Sequence, residues 1–303
     1  MKLLFNYLIF PGIIFSAVVG LFAGWLDRKI TARVQFRIGP PWHQNFTDIL
    51  KLLGKETIYP VQSRLTFLLS PYLGFLSVGL VATILGLNLI SNSSGFNGDL
   101  VVVLYLLLIP AIALILGASS SRNPLASVGA SRELKLILAY ELPFLLSIVA
   151  LIIKCGGSIQ LNRILELQAI NGSNILSWSG ALAFIVCLVC VQAKLGYPPF
   201  DIAEADQELM CGTLIEYSGL PLAVFKLTKA VMLYTLPLFL IILFAGKELS
   251  LLFLILKYTG ILVVIVLIKN TNPRVRIDQA LGFFWKVPAI MALAAVILAL
   301  VGQ

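Results

Sequence analysis

Five carboxylates and no basic residue lie between Gly196 and Gly219, the acidic segment of a chain in which only 12% of residues are charged. Carboxylates gathered this closely raise one another's pKa, which would let them share and pass protons near neutral pH. Three of them are spaced i, i+3 and i+7, so a helix beginning at position 201 would place them on one face. A D-x-x-E capping box at a helix start is the simpler interpretation, but it accounts for two acids at most. The candidates are Asp201, Glu204, Asp206, Glu208 and Glu216.

Four further ionisable residues lie inside long apolar runs, where a charge is costly and usually faces a wet cavity or a partner. Glu141 lies two residues before Pro143, although it could also stay solvated close to the membrane interface. Lys226, Lys229 and Lys257 follow in later runs and would either extend toward the interface or pair inside the protein. These residues predict a polar track leading from the acidic segment into the membrane.

The elements that must carry these residues are transmembrane helices. The chain has 303 residues, 59% of them hydrophobic, and a mean hydropathy of +0.99. Eight continuous apolar runs are each long enough to cross a hydrocarbon layer of about 30 Å as a helix, and they lack the alternation of barrel strands. We therefore expect an all-α integral membrane protein forming a single domain over residues 1–303. The spans are predicted near 3–26, 66–90, 100–118, 136–154, 179–195, 220–244, 249–269 and 285–301.

Basic residues predict the orientation of these spans, because Lys and Arg are retained on the cytoplasmic side. They concentrate in segments 27–65, 119–135 and 269–286, whereas the alternate loops are poor in them. With an even number of spans, both termini should lie on the outer side of the cytoplasmic membrane. The acidic segment should lie on its cytoplasmic side. The net charge of +8 then reflects topology and gives no support for a nucleic-acid partner.

A short amphipathic helix is predicted after the break at Gly39-Pro40-Pro41. Phe46, Ile49, Leu50, Leu52 and Leu53 fall on or beside one helical face. Two interpretations remain open for it: an anchor against the lipid bilayer, with basic residues toward anionic headgroups, or a docking platform for a peripheral protein.

Redox cofactors have few available ligands in this chain. His43 is the single histidine, which excludes a haem with two histidine ligands, and the four cysteines have no spacing that suits an iron–sulfur cluster. The pair Cys187 and Cys190 lies inside a predicted span, where packing is the ordinary role. We expect no cofactor, no metal and no catalytic residue in this chain.

Three segments resemble the cytoplasmic-loop signatures of one known family. DRKITARVQFRIGP, GASRELKLILAYE and PPFDIAEADQELMCGTLIEYSG are similar to the H subunit of respiratory complex I and its counterparts in membrane-bound energy-converting [NiFe] hydrogenases. The resemblance implies a non-redox subunit of an oxidoreductase complex, which joins a peripheral electron-transfer arm to antiporter-like membrane subunits. By position it assigns the acidic segment and Glu141 to ion coupling. It assigns docking of the peripheral arm to Arg28, Lys29, Arg33 and Arg37.

Two departures from complex I favour the hydrogenase branch. The chain lacks a longer insertion after Gly39-Pro40-Pro41, and it has Lys194-Leu195-Gly196-Tyr197 where complex I typically has an acidic residue and an arginine. The [NiFe] centre and iron–sulfur clusters would then lie in large and small partner subunits fed by ferredoxin, and H₂ evolution would drive H⁺ or Na⁺ outward. The alternatives are a quinone-reducing or sulfur-reducing relative, and, in another class, a stand-alone secondary transporter.

Overall fold

The computed structural model describes residues 2–60, 63–90, 95–246 and 250–302, without the side chains of residues 2, 3, 206 and 207. This part of the chain is helical and contains no strand. Short 3₁₀ turns occur at Asn174–Leu176 and Gly212–Leu214, and a π-helical turn at Ile241–Ala245. The helices are α1 (Lys2–Leu8), α2 (Ile13–Val34), α3 (Gln44–Leu53), α4 (Arg64–Ile90), α5 (Asp99–Ser120), α6 (Pro124–Lys154), α7 (Leu161–Asn171), α8 (Trp178–Lys194), α9 (Asp206–Leu209), α10 (Gly219–Leu240), α11 (Leu251–Thr271), α12 (Ile277–Lys286) and α13 (Pro288–Val301).

Seven helical stretches in the described residues are long and apolar enough to cross a membrane, which makes this a multi-pass membrane protein. They are Leu4–Val34, Arg64–Ile90, Asp99–Ser120, Pro124–Lys154, Gly219–Ala245, Leu251–Thr271 and Ile277–Val301. The remaining predicted span, 179–195, coincides with the shorter α8. Its 17 residues correspond to about 26 Å of helix, slightly less than the hydrocarbon thickness.

The helix α10 forms the centre of the bundle. It packs against α2 and α4, while α6 packs against α8 and α13, and α4 against α5. Small residues allow the helix backbones to approach closely, as is typical of membrane bundles. At Gly20 an added Cβ would lie 2.2 Å from the Ala230 carbonyl oxygen, so α2 and α10 touch at this point.

The fourth predicted span begins much earlier than expected, at Pro124 instead of near residue 136. Asn123 caps the helix by accepting a hydrogen bond from the Leu125 amide at 2.9 Å, and proline occupies a first-turn position where no amide donor is needed. As a result, Arg132 and Glu133, expected in a loop, project from the wall of the bundle.

The predicted amphipathic helix corresponds to α3. Ile49 and Leu52 are buried against α2 and α10, whereas Leu50 and Leu53 are 65% and 47% exposed. The Asn45 side chain donates to the Leu21 carbonyl at 2.9 Å and fixes α3 to α2. The contact of its exposed face with lipid or with a peripheral protein stays a prediction.

The acidic segment is not the helix that its spacing predicts. Residues 201–205 are irregular, and α9 covers only Asp206–Leu209, so the interpretation of Asp201 as a helix cap is wrong. Packing provides the reason, because Phe200, Ile202, Ala203 and Ala205 are all buried and their side chains cannot all be buried along one helical stripe. The segment instead folds beneath the first turns of α6.

Candidate functional site

The three acids predicted to share a helix face are separated in the structure, and each pairs with a cation from a different element. Asp201 lies 2.6 Å from Arg274 in the loop after α11, and Glu208 lies 2.8 Å from Arg132 on α6. Glu204 pairs with Lys229 of α10. The acidic segment is thus held to three parts of the bundle by ion pairs, which is a different arrangement from a row of mutually repelling carboxylates.

The environment shifts the pKa of two of these acids in opposite directions. Burial raises the pKa of Asp201 above its ordinary value, although the neighbouring Arg274 charge opposes the shift. The hydrogen bond and charge of Arg132 lower the pKa of the exposed Glu208. The charge of Glu204 makes only the smallest contribution at Asp201, so burial and not crowding among acids is the main cause.

The other two acids of the segment lie apart from this arrangement. Glu216 is exposed and accepts a hydrogen bond from the Asn123 side chain at 2.6 Å, close to the start of α6. Asp206 is the first residue of α9, and its side chain lies outside the described residues.

A cavity of about 50 Å³ lies between α5, α6, α8, α10 and the acidic segment. That volume is enough for one or two water molecules. Its lining includes two charged residues that the sequence did not mark as candidates, Glu133 and Lys194. The apolar walls include Pro110, Phe200 and Phe225. The polar side chains at the cavity are Glu133, Lys194, Asp201, Glu204, Thr228 and Lys229.

Glu141 pairs with Lys194 at the deep side of this cavity. The Lys194 ammonium lies 2.7 Å from the Glu141 carboxylate, and the two side chains are 1% and 19% exposed. The same ammonium lies 4.9 Å from the ring centre of Tyr140 and 4.6 Å from that of Phe144, within the range of cation–π attraction. The sequence distinguished Lys194 only as the first residue of Lys194-Leu195-Gly196-Tyr197, a segment that departs from the complex I motif.

Two of the three predicted lysines lie close together. Lys229 pairs with Glu204 at the first cavity and also lines a second cavity, of about 230 Å³, whose lining includes the exposed Lys226 and Asp48. Lys257 donates to the Ala245 carbonyl at 2.8 Å, at the far end of the π-helical turn that follows α10. The structure therefore places Lys229 in the wall of the first cavity and Glu141 against Lys194 of that wall, and leaves Glu216, Lys226 and Lys257 outside its lining.

The basic residues assigned to docking fall into two groups. Arg28 is tied within the chain, 3.0 Å from Asp48 of α3, and Lys29 is half-buried. Arg33 and Arg37 are exposed around the end of α2. Between and beside them the apolar side chains of Phe36 and Ile38 are 100% and 95% exposed, respectively.

A second buried ion pair involves Asp27, about two turns before the end of α2, and the sequence did not reveal it. Asp27, with a side chain 7% exposed, accepts hydrogen bonds from the Lys269 ammonium at 2.8 and 3.0 Å. The Tyr197 hydroxyl donates to the same carboxylate at 3.2 Å, and Lys269 lies 4.4 Å from the Tyr197 ring centre. A carboxylate at the end of the first apolar run was the available signal, but its two partners are 170 and 242 residues away.

The chain matches known proteins along almost its whole length. A family model described as NADH dehydrogenase matches residues 7–300. The H subunit of the NADH-quinone oxidoreductase of Thermomicrobium roseum is 32% identical, with 96% of this chain and 94% of that protein covered. Its counterpart in Geobacillus kaustophilus is 28% identical, covering 90% and 86%. A solved chain from a membrane-bound sulfane sulfur reductase, an archaeal respiratory membrane complex, has 31% identity and a TM-score of 0.86, covering 99% of this chain and 100% of that one.

Proposed function

The chain belongs to the NADH dehydrogenase family, as a member similar to the H subunit of complex I, and on that basis we propose that it couples electron transfer in a peripheral arm to ion movement across the cytoplasmic membrane. It is the membrane subunit of a complex I-like oxidoreductase. In the proposed role it holds no redox cofactor. Iron–sulfur clusters and the centre at which the acceptor is reduced lie in partner subunits on the cytoplasmic side, and antiporter-like subunits adjoin it in the membrane.

The observation that carries this proposal is the set of ion pairs around the cavity. Asp201, Glu204 and Glu208 belong to one segment, but each pairs with a cation on a separate element. A movement of that segment would therefore break the pairs of Asp201 and Glu204 together next to the membrane interior, whereas the Glu208 pair is exposed. Because unpaired charges are costly in a low-dielectric environment, such a movement would drive compensating proton or ion transfer.

We propose that the peripheral arm passes electrons from ferredoxin to a sulfur compound. This choice rests on the likeness to the sulfane sulfur reductase chain, which extends over both full lengths. Lys194 also supports an acceptor other than quinone. It stands where complex I typically has an acidic residue. Here its ammonium group forms a buried ion pair with Glu141.

An energy-converting hydrogenase is the second candidate. The short connection after Gly39-Pro40-Pro41 and the Lys194-Leu195-Gly196-Tyr197 segment resemble that branch as well, and carboxylates around the cavity would serve either acceptor. In that case protons replace the sulfur compound as acceptor, and a nickel-containing large subunit is the expected partner.

Purification of the intact complex through an affinity tag on this chain would test both candidates. We expect co-purification with iron–sulfur and antiporter-like subunits and reduced-ferredoxin-dependent sulfide formation from polysulfide. Nickel in the complex together with H₂ evolution would instead support the hydrogenase, and quinone reduction would support neither. Ion uptake into inverted vesicles, measured with a protonophore or a sodium ionophore, identifies the ion. A chain that purifies alone and transports a solute would contradict the coupling role and indicate a secondary transporter.

A further inference from the structure

Glu133 differs from the other carboxylates at the cavity. Asp201 and Glu204 each pair with a cation, but Glu133 makes no hydrogen bond or ion pair with any residue that the structure describes. It lies on α6, two turns before Glu141, and its side chain lines the cavity. The charges that act on it from other elements are those of Glu204 and Lys229.

The charges around the cavity do not balance. Its wall and the direct partners of its wall supply four carboxylates and three cations. Pairing Glu141 with Lys194, Glu204 with Lys229 and Asp201 with Arg274 leaves a single negative charge, at Glu133. Glu133 is partly buried, and a carboxylate in such an environment is neutralised by taking up one monovalent cation, because an unpaired charge away from bulk water is disfavoured.

A second observation also indicates a missing donor at this place. Asp201 is 9% exposed, and its Oδ1 atom is buried without a hydrogen-bond partner among the described residues. Buried carboxylate oxygens are almost always hydrogen-bonded to protein or to ordered water. Because Asp201 and Glu133 line the same small cavity, a carboxyl proton or a water hydrogen-bonded to it would supply the donor.

We propose that Glu133 carries the transferable proton of this cavity. This inference rests on the proposed coupling function and adds to it the residue that is loaded and discharged. While Lys229 pairs with Glu204, Glu133 is the neutral carboxylic acid. When the acidic segment moves and Lys229 turns toward Glu133, the carboxyl O–H bond breaks and the proton passes to cavity water as hydronium. The carboxylate left behind takes the ammonium as its partner, so charge is conserved.

The other elements packed against α6 do not offer Glu133 a spare cation. On α8 the ionisable groups toward this end are Lys194, held by Glu141, and Cys190. On α9 the described group is Glu208, which already occupies Arg132. The charged residues of α12 are Asp278, at a separate cavity, and Lys286 at its far end. Helix α13 has no ionisable residue, and the charged residue of α5, Asp99, lies at the opposite end of that helix.

The test uses the whole complex carrying Glu133→Gln, with Glu166→Gln as the matched control. Glu166 lies on α7, is about half exposed and pairs with Arg163. Redox-induced infrared difference spectra of the wild-type complex should contain the C=O stretch of a protonated carboxyl group. We expect that band to be lost in Glu133→Gln, and ions moved per electron to fall about tenfold or more. Both readouts should be unchanged in Glu166→Gln.

A band that persists in Glu133→Gln would overturn the proposal, and so would ion movement that stays at the wild-type level after the band is lost. If Glu133→Gln fails to assemble, Glu133→Asp keeps the acid one methylene shorter. Its band must then shift in frequency, and an unshifted band would overturn the proposal. Failure of the coupling function itself is recognised separately, because the wild-type complex would then show no redox-driven ion uptake at all.

Discussion

Replacing Lys194 with methionine removes the cation of the deepest ion pair at the cavity and keeps a side chain of similar length. The Lys194 side chain is 1% exposed and is held by Glu141 at 2.7 Å and by the rings of Tyr140 and Phe144. Methionine fills the same volume between the rings. The substitution therefore tests the charge pair and not the packing.

The magnitude follows from what each substitution leaves behind. Removing one partner of a buried ion pair costs about 3–5 kcal/mol, because the other charge stays buried and unpaired. The Glu141 side chain is 19% exposed, so water can partly solvate the carboxylate that Lys194→Met leaves unpaired. This substitution should therefore lower the free energy of unfolding by about 3 kcal/mol, the lower end of the range. Glu141→Leu leaves the ammonium, which is almost fully enclosed, without its carboxylate and should cost about 4 kcal/mol. The double variant Lys194→Met/Glu141→Leu leaves no charge and should lose only about 1 kcal/mol.

The assay is reversible unfolding of the purified protein in mixed micelles, followed for the wild type, both single variants and the double variant. We expect a coupling energy of several kcal/mol across this cycle. Arg163 and Glu166 provide the control pair, 3.6 Å apart with side chains 61% and 51% exposed. Their replacement should change the unfolding free energy by about 0.5 kcal/mol or less.

Additive effects would refute this reasoning. If the two single losses sum to the loss of the double variant within about 0.5 kcal/mol, the residues do not interact as the geometry requires. A loss at Lys194 no larger than at Arg163 would refute it equally, since burial would then have no influence on the value of an ion pair.

Three further predictions concern the supports of the site. In Gly117→Ala the new Cβ would lie 2.2 Å from the Tyr217 hydroxyl, so we expect a loss of about 1–3 kcal/mol in the same assay, whereas Gly260→Ala, with no atom within 4 Å, should lose nothing. Asp27→Asn leaves Lys269 without its carboxylate and should cost about 3 kcal/mol; a stability equal to the wild type would argue against that buried pair. Arg132 lowers the pKa of Glu208, so the stability from this pair should be present above pH 4.5, the ordinary pKa of a glutamate, and should be lost as pH falls below it. In Arg132→Gln the melting temperature should depend less on pH in that range.

The membrane class and the family could be predicted from the sequence, because both depend on local features. Continuous apolar runs are long enough to identify spanning helices, and seven stretches have the required length and composition in the described residues. The family resemblance predicted from three short segments is confirmed by the family match over residues 7–300. Helix ends were less predictable. The span predicted to start near residue 136 belongs to α6, which starts at Pro124. Capping by Asn123 extends this helix beyond its apolar part.

Several residues singled out from the sequence lie at the cavity, but their arrangement differs from the expected one. Asp201, Glu204 and Glu208 have helical spacing, yet the structure assigns them to three separate cations. Glu133 was expected in a charged loop, and Lys194 was noted as a departure from a motif, yet both line the cavity. Neither residue is distinguished by its local sequence, since their importance depends on neighbours far away in the chain.

By itself, then, the amino-acid sequence determined that this is a helical membrane protein. It also determined that five acidic residues lie in the segment just before the span formed by α10. Only the tertiary structure decided which acid meets which cation. The physical reason is that a spanning helix is identified from about 20 consecutive residues, whereas an ion pair needs two side chains within about 4 Å. Glu141 and Lys194 are 53 residues apart, and Asp27 and Lys269 are 242 apart. The packing of α6 against α8 and of α11 against α2 brings these residues together, and no local sequence feature does so.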